Sequence, residues 1–306
     1  MQESTLAPSC IPPPIRSMKN SEDILVSTLS EFLAAEVKGV DLSAPISGLL
    51  ASKIYESLVK HSVLVFRNQC LEAEHVRAFS MLFGKLVPHV VRSFGLKTNE
   101  DVIVLSNMED DRGEKVGADR SGMDWHSDGS YRENPAKFSV LYGVKCPPLG
   151  ANTEFCSTQA AYGELDTATQ VHLSSLEGIH DYWWYWDTFQ SARKPLTAAQ
   201  KREAPPVVHP AVITHPDTGL HATYLSESVT SGIKCMDATE GRDLVLKISA
   251  FASQPKFQYV HEWREGDLVI WDNRTTMHRA TEFDNKYDRY MLKTAIKGDP
   301  PQYAAR

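Results

Sequence analysis

The sequence predicts a mainly β fold with flanking helices, an antiparallel β sandwich that carries its helices on the outside. Three observations point there. Short apolar or alternating runs bounded by Gly, Pro, Asn and Asp dominate the second half of the 306-residue chain. A hairpin signal, Asp217-Thr218-Gly219, stands between two such runs. Helical spacing marks only a few segments, and the chain has no internal repeat.

In chain order, residues 1–22, with Pro8, Pro12, Pro13 and Pro14, read as a flexible tail, and residues 23–306 as one domain. Structure is expected to begin near Ile24 and to run through a strand ending at Val40. Leu49 to His61 shows helical spacing in Leu49, Ile54 and Leu58, and the apolar run Val63 to Phe66 reads as a buried strand. A second helix, Glu72 to Phe83, stops at Gly84. Val87 to Leu96 reads as a loop and Val102 to Leu105 as a strand. The acidic run Glu109-Asp110-Asp111-Arg112-Gly113-Glu114 marks an exposed loop, of the kind from which lids are drawn. Trp125 to Tyr131 is expected to be extended. Phe138 to Lys145 alternates as a strand and is closed by Pro147-Pro148; Gln159 to Leu173 is expected to be one helix. Asp181-Tyr182-Trp183-Trp184-Tyr185-Trp186 opens a segment without assigned structure that lasts to Pro206, its aromatics either packing on the core or lining a pocket. His209 to Thr214 and Leu220 to Leu225 form a hairpin. Ala238 to Ala252 is the last helix, followed by strands near Phe257 to Trp263, Asp267 to Trp271 and Tyr287 to Ala295.

Bulk properties narrow the class. The formal charge of −7 gives no electrostatic reason for a nucleic acid or an anionic membrane as partner. No apolar run reaches the roughly 20 residues of a membrane helix, and the N-terminus lacks signal-peptide regions, so a cytoplasmic location is expected. Cys10, Cys70, Cys146, Cys156 and Cys235 are odd in number and lack Cys-x-x-Cys spacing, which fits reduced thiols and indicates neither a disulfide framework nor a structural zinc site.

The chemistry concentrates in Trp125-His126-Ser127-Asp128-Gly129-Ser130-Tyr131. On an extended backbone residues i and i+2 share a face, so His126 and Asp128 can offer a nitrogen and an oxygen to one ion. His278, at the end of Val269-Ile270-Trp271-Asp272-Asn273-Arg274-Thr275-Thr276-Met277-His278, is the candidate third ligand. Two histidines and a carboxylate make the facial triad of non-haem Fe(II) oxygenases, which leaves positions open for substrates; they also suit catalytic zinc, and hence a zinc-dependent hydrolase. With 11 histidines and 39 acidic residues such triplets also arise by chance, and a second one, His215-Pro216-Asp217, reads as a turn. Arg289, eleven residues beyond His278, offers a planar fork for a carboxylate.

The ordered set Trp125-His126-x-Asp128, Gly150-Ala151-Asn152-Thr153-Glu154-Phe155, Trp271-Asp272-Asn273 to His278-Arg279-Ala280, then Arg289, resembles the taurine dioxygenase and 2,4-dichlorophenoxyacetate dioxygenase family from about Glu36 to Gly298. The resemblance implies a double-stranded β-helix, a cupin-like jelly roll. It implies Fe(II) on His126, Asp128 and His278, 2-oxoglutarate as cosubstrate with its far carboxylate on Arg289 and Thr153, and molecular oxygen as oxidant. The implied reaction oxidises a C–H bond of a small acidic molecule by hydroxylation, with desaturation, cyclisation or cleavage as sequels, and releases succinate and carbon dioxide. Because related halogenases lack the carboxylate, Asp128 implies oxygenation. His89 and Lys293 stand where the family contacts an anionic substrate, Lys293 in place of an arginine; Tyr131 and Tyr224 complete the substrate-binding candidates. Glu227 reads as a partner for a substrate amine or for a surface cation. A homo-oligomer is implied as well. The reading from another class, a non-catalytic β sandwich that binds a small acid, predicts a damaged triad, whereas all five positions are filled.

Overall fold

The computed structural model describes residue 20 and residues 22–305, so the expected tail at 1–22 lies almost wholly outside the described residues. The main sheet has eight strands, in the order Leu25–Thr28, Ala35–Lys38, Val63–Phe66, Leu268–Asp272, Ala136–Lys145, Tyr290–Lys297, Asn99–Ser106 and Gly95–Leu96. Neighbours run antiparallel except Ala35–Lys38 against Val63–Phe66. A second sheet, Gln258–His261, Thr153–Ser157 and Thr276–Ala280, packs on the main one through Phe155. Two small sheets follow: Thr230–Ile233 with Glu177–His180 and Val207–Pro210, and the hairpin Val212–Thr214 with His221–Thr223. The fold is a jelly roll. Among the described residues no helix is long and apolar enough to cross a membrane.

Strand alternation divides the core in two. Leu64, Phe66, Leu268, Ile270, Phe138 and Val140 face outward and are covered by Leu50, Ile54 and Leu58 of the helix Gly48–His61 and by Val76 and Phe79 of the helix Ala73–Met81. Val63, Val65, Leu141, Val269 and Trp271 face inward, against Phe155. These strands are buried on both sides, which is why Val63–Phe66 reads as a continuous apolar run. Ser47 starts the first helix by accepting from Leu50 N, and Ser62 ends it in the left-handed region at φ 60°.

Four expectations need correction. Ile24 to Val40 is a hairpin of two strands, turned at Ser30 to Ala34 by the Ser30 hydroxyl on the Leu33 carbonyl and by Ala34 at φ 71°. The helix over Gln159 to Leu173 is broken into Thr158–Gly163 and Thr167–Ser174, because Asp166 caps the second by accepting from Thr169 N at 2.9 Å. The loop Val87 to Leu96 contains a 3₁₀ turn, Arg92–Phe94, and the short strand Gly95–Leu96. The segment after Asp181 contains helices Tyr182–Phe189 and Ala198–Glu203.

Candidate metal centre and substrate cavity

His126, Asp128 and His278 come together on the inner side of the jelly roll, with one donor atom from each within 4.8 Å of the others. The stretch from Trp125 to Tyr131 is not the extended strand expected. His126 forms a single antiparallel bridge with His278, N to O at 3.1 Å and back at 2.8 Å, and Asp128 already enters a turn. Gly129 makes that turn at φ 67°. The ligands therefore converge through one bridge pair and a clasp, in which Asp128 N donates to Asn273 Oδ1 at 3.1 Å.

His126 Nε2 lies 3.7 Å from Asp128 Oδ1, and His278 Nε2 lies 3.5 Å from Asp128 Oδ2. Both gaps are long for hydrogen bonds, and burial holds both imidazoles below their ordinary pKa, hence neutral. His126 Nδ1 meets the Asp124 carbonyl at 2.8 Å, which assigns the proton to Nδ1 and leaves Nε2 with its lone pair toward the cluster. Burial works against the ionised form of Asp128, yet the Lys293 ammonium holds its carboxyl well below the usual range. Two neutral imidazoles and an ionised carboxylate are the donor set a divalent ion requires.

Asp128 is tied further. Ser139 Oγ donates to Oδ2 at 2.7 Å, Asn273 Nδ2 donates to Ser139 Oγ at 3.0 Å, and Trp271 Nε1 donates to Asn273 Oδ1 at 3.0 Å. On the other oxygen, Lys293 Nζ donates to Oδ1 at 2.7 Å. Register explains the set: Trp271 pairs with Ser139 across Leu268–Asp272 and Ala136–Lys145, and Lys293 pairs with Leu141 on the next strand, so all share the inner face. The sequence alone did not single out Ser139; its signal was a hydroxyl in the otherwise apolar run Phe138-Ser139-Val140.

A cavity of about 110 Å³ opens over the cluster and also holds Thr153, Arg289, Lys293, His89 and Tyr131. Arg289 is buried, at 6 % exposed, and no carboxylate among the described residues lies within ion-pair distance of its guanidinium. Burial lowers its pKa, with Cys146 and Asp119 only partly opposing. Trp263 Nε1 donates to Thr153 Oγ1 at 2.9 Å, so the hydroxyl's own proton is left for another acceptor. Burial pushes His89 down to about 4, and its Nδ1 accepts from Val91 N at 3.0 Å, which makes it a neutral ring with an Nε2–H donor.

The far wall is aromatic. Tyr182, Tyr185 and Trp186, at i, i+3 and i+4 of one helix, line the cavity, and the Tyr131 ring lies 4.3 Å from that of Tyr182. Trp183 and Trp184 turn away, to the Lys201 carbonyl and the Arg242 guanidinium. Arg193, between Phe94 and Trp186, donates to the Asp119 carbonyl and joins the helical wall to the 118–122 loop.

Two candidates lie elsewhere. Tyr224 lines a separate cavity with Tyr55 and Arg274, its ring held by His180 at 5.4 Å and His209 at 5.9 Å, and does not line the main cavity. Glu227 does not line the main cavity; its carbonyl accepts from Arg242 at 2.6 Å. His215, of the second triplet, is buried on Asp272 at 3.0 Å.

Comparison with known proteins agrees with this geometry. The family model "Taurine catabolism dioxygenase TauD, TfdA family" matches residues 25–295. An alpha-ketoglutarate-dependent 2,4-dichlorophenoxyacetate dioxygenase of Cupriavidus pinatubonensis is 30 % identical over 286 residues, covering 90 % of this chain and 98 % of that one. Pentalenolactone F synthase of Streptomyces avermitilis is 28 % identical, covering 88 % and 92 %. The crystal structure of AAD-2 in complex with Mn(II) and N-oxalylglycine superposes with a TM-score of 0.79 at 32 % identity, covering 92 % of this chain and 100 % of that one. The chain thus belongs to the taurine catabolism dioxygenase TauD, TfdA family, and is a dioxygenase that uses Fe(II), 2-oxoglutarate and O₂.

Proposed function

We propose that this enzyme oxidises a C–H bond of a small organic acid with an apolar body, holding Fe(II) on His126, Asp128 and His278 and the far carboxylate of 2-oxoglutarate on Arg289 and Thr153. The observation that carries the reading is Arg289, a buried guanidinium without a carboxylate partner that opens into the same cavity as the three ligand side chains. A buried unpaired charge is costly, and an acidic cosubstrate removes that cost. The spare Thr153 proton supplies a second contact to the same group. When bound, Fe(II) couples decarboxylation of 2-oxoglutarate to succinate and carbon dioxide with activation of O₂.

The chain's own residues do the rest. Lys293 contributes positive charge beside Asp128, and His89, held neutral, contributes a hydrogen-bond donor. Tyr131, Tyr182, Tyr185 and Trp186 cover the apolar body and exclude water. The acid named for the 2,4-dichlorophenoxyacetate relative supports a substrate of this shape. Hydroxylation is the first product, and desaturation, cyclisation or cleavage follow from the substrate's own groups.

Anaerobic absorption tests the assignment. Addition of Fe(II) and then 2-oxoglutarate is expected to give the weak visible band of the chelate, and His278→Ala to abolish it. Arg289→Ala is expected to keep iron but weaken 2-oxoglutarate roughly 10- to 100-fold, since a charge-assisted pair contributes about 1.5–3 kcal/mol. No band in the folded, iron-loaded wild type would sink the reading.

A further inference from the structure

A second, smaller cavity of about 50 Å³ lies behind the ligand cluster. It shares His89, Ile103, Asp128, Gly129, Tyr131 and Lys293 with the main cavity, so these residues form the wall between the two. At its other end it shares Val87, Pro88, Tyr131 and Arg132 with an open surface groove of about 740 Å³. The small cavity thus lies between the groove and the cluster, Tyr131 bordering all three spaces, and none of Tyr182, Tyr185 and Trp186 lines the groove or the small cavity.

Val87, Pro88, Ile103, Ala136 and Ala295 give the small cavity carbon walls, and of these Ala136 and Ala295 line neither the main cavity nor the groove. Its charged groups stand at the ends and are engaged. Lys293 is on Asp128 at 2.7 Å, and Arg132 donates to the Pro88 carbonyl at 3.1 Å. A space walled mainly by carbon, with its charged groups already engaged, favours a small apolar guest over water. Ala295 reaches it because it pairs with Ser139 on the inner face of the main sheet.

We propose that this cavity is a dioxygen site on a gas route from the surface groove to the ligand cluster. The proposal rests on the dioxygenase reading of the site. A dicarboxylate against Arg289 and an organic acid against the aromatic wall would both occupy the main cavity, and a third molecule then needs another way in. The small cavity supplies one from the opposite side. Ala136 and Ala295 set its width, since any longer side chain at either position occupies it.

Xenon is the probe, because it binds apolar cavities of this kind. In crystals of the iron-loaded wild type under xenon pressure, one atom is expected between Val87, Ala136 and Ala295, and none in Ala295→Leu. Ala295→Leu is expected to raise the KM for O₂ about tenfold, with the chelate band and the 2-oxoglutarate affinity unchanged. Ala295→Val is expected to give a smaller rise, and it carries the test where the leucine variant does not fold. An empty cavity under xenon overturns the proposal, as does a wild-type KM for O₂ in both variants. Absence of the chelate band in the wild type would instead overturn the iron and cosubstrate assignment, on which xenon occupancy does not depend.

Discussion

Two groups that can only donate fix the direction of every proton around Asp128. The Trp271 indole N–H and the Asp128 backbone N–H both point at Asn273 Oδ1, at 3.0 and 3.1 Å. The Asn273 amide must therefore turn its NH₂ to Ser139, whose oxygen accepts and whose single proton goes to Asp128 Oδ2. With Lys293 on Oδ1, the carboxylate plane is held at both oxygens. Such supporting bonds typically contribute 10- to 100-fold in metal affinity, so Ser139→Ala is expected to weaken Fe(II) by about that factor. Anaerobic titration with Fe(II) measures it; wild-type affinity would show that the carboxylate needs no orientation from Ser139. The three proposed ligands stand out in the sequence because histidine and aspartate at short spacing are chemically conspicuous. Ser139 was not, since a lone hydroxyl in an apolar strand reads as ordinary strand composition until pairing places it opposite Trp271.

The aromatic helix shows how an element can carry specificity that periodicity conceals. Tyr182 to Trp186 are five aromatics in a row, so no polar position marks which face turns inward. Asp181 was the readable signal, an N-cap that accepts from Trp183 N at 2.8 Å and Trp184 N at 3.0 Å. Once that cap sets the phase, Tyr182, Tyr185 and Trp186 must share a face, and the cavity lies on it. Tyr185→Ala is therefore expected to raise the substrate KM severalfold, because an aromatic contact is worth about 0.5–1.5 kcal/mol beyond its area. Trp184→Ala, on the opposite side beside Arg242 at 4.6 Å, is expected to lower stability by about 1 kcal/mol and leave KM alone. Steady-state kinetics and chemical denaturation of the two variants separate the roles, and equal KM shifts would refute the assignment of faces. The broken helix at Asp166 teaches the same lesson: an internal cap outweighs hydrophobic spacing.

At the scale of the whole molecule, ordered motifs were more informative than alternation, because strands such as Leu268–Asp272 are buried on both faces and show no alternation to read. The short strands Thr153–Ser157 and Thr276–Ala280 are recognisable only as partners, His278 lying opposite Phe155. Two devices hold these distant segments. One is Asp272, buried with Arg274 and His215; burial opposes its charge, but these partners hold its pKa down to about 2, from 3.8. A depressed carboxylate stabilises the fold above its ordinary pKa, and that contribution, about 2 kcal/mol, is lost as pH falls from about 4 toward 2. Asp272→Asn is expected to cost about 3 kcal/mol at neutral pH and to flatten this acid limb in unfolding measurements; parallel limbs would rule Asp272 out as its source. The other device is the ion. His126 and Asp128 precede the strand Ala136–Lys145 and His278 lies 278 − 128 = 150 residues beyond Asp128, so one ion held on the three proposed ligands would join the two halves of the chain across the bridge between His126 and His278. A ligand that binds only the folded chain stabilises it by mass action, about 2.7 kcal/mol at a hundred times its dissociation constant, or about 5 °C in Tm. Fe(II) without oxygen, or Co(II) in its place, is expected to give that rise, a chelator to reverse it, and His126→Ala to abolish it. A rise that survives in His126→Ala would place the stabilising ion at some other site, and the jelly roll would then be held at this point by its backbone bridge alone.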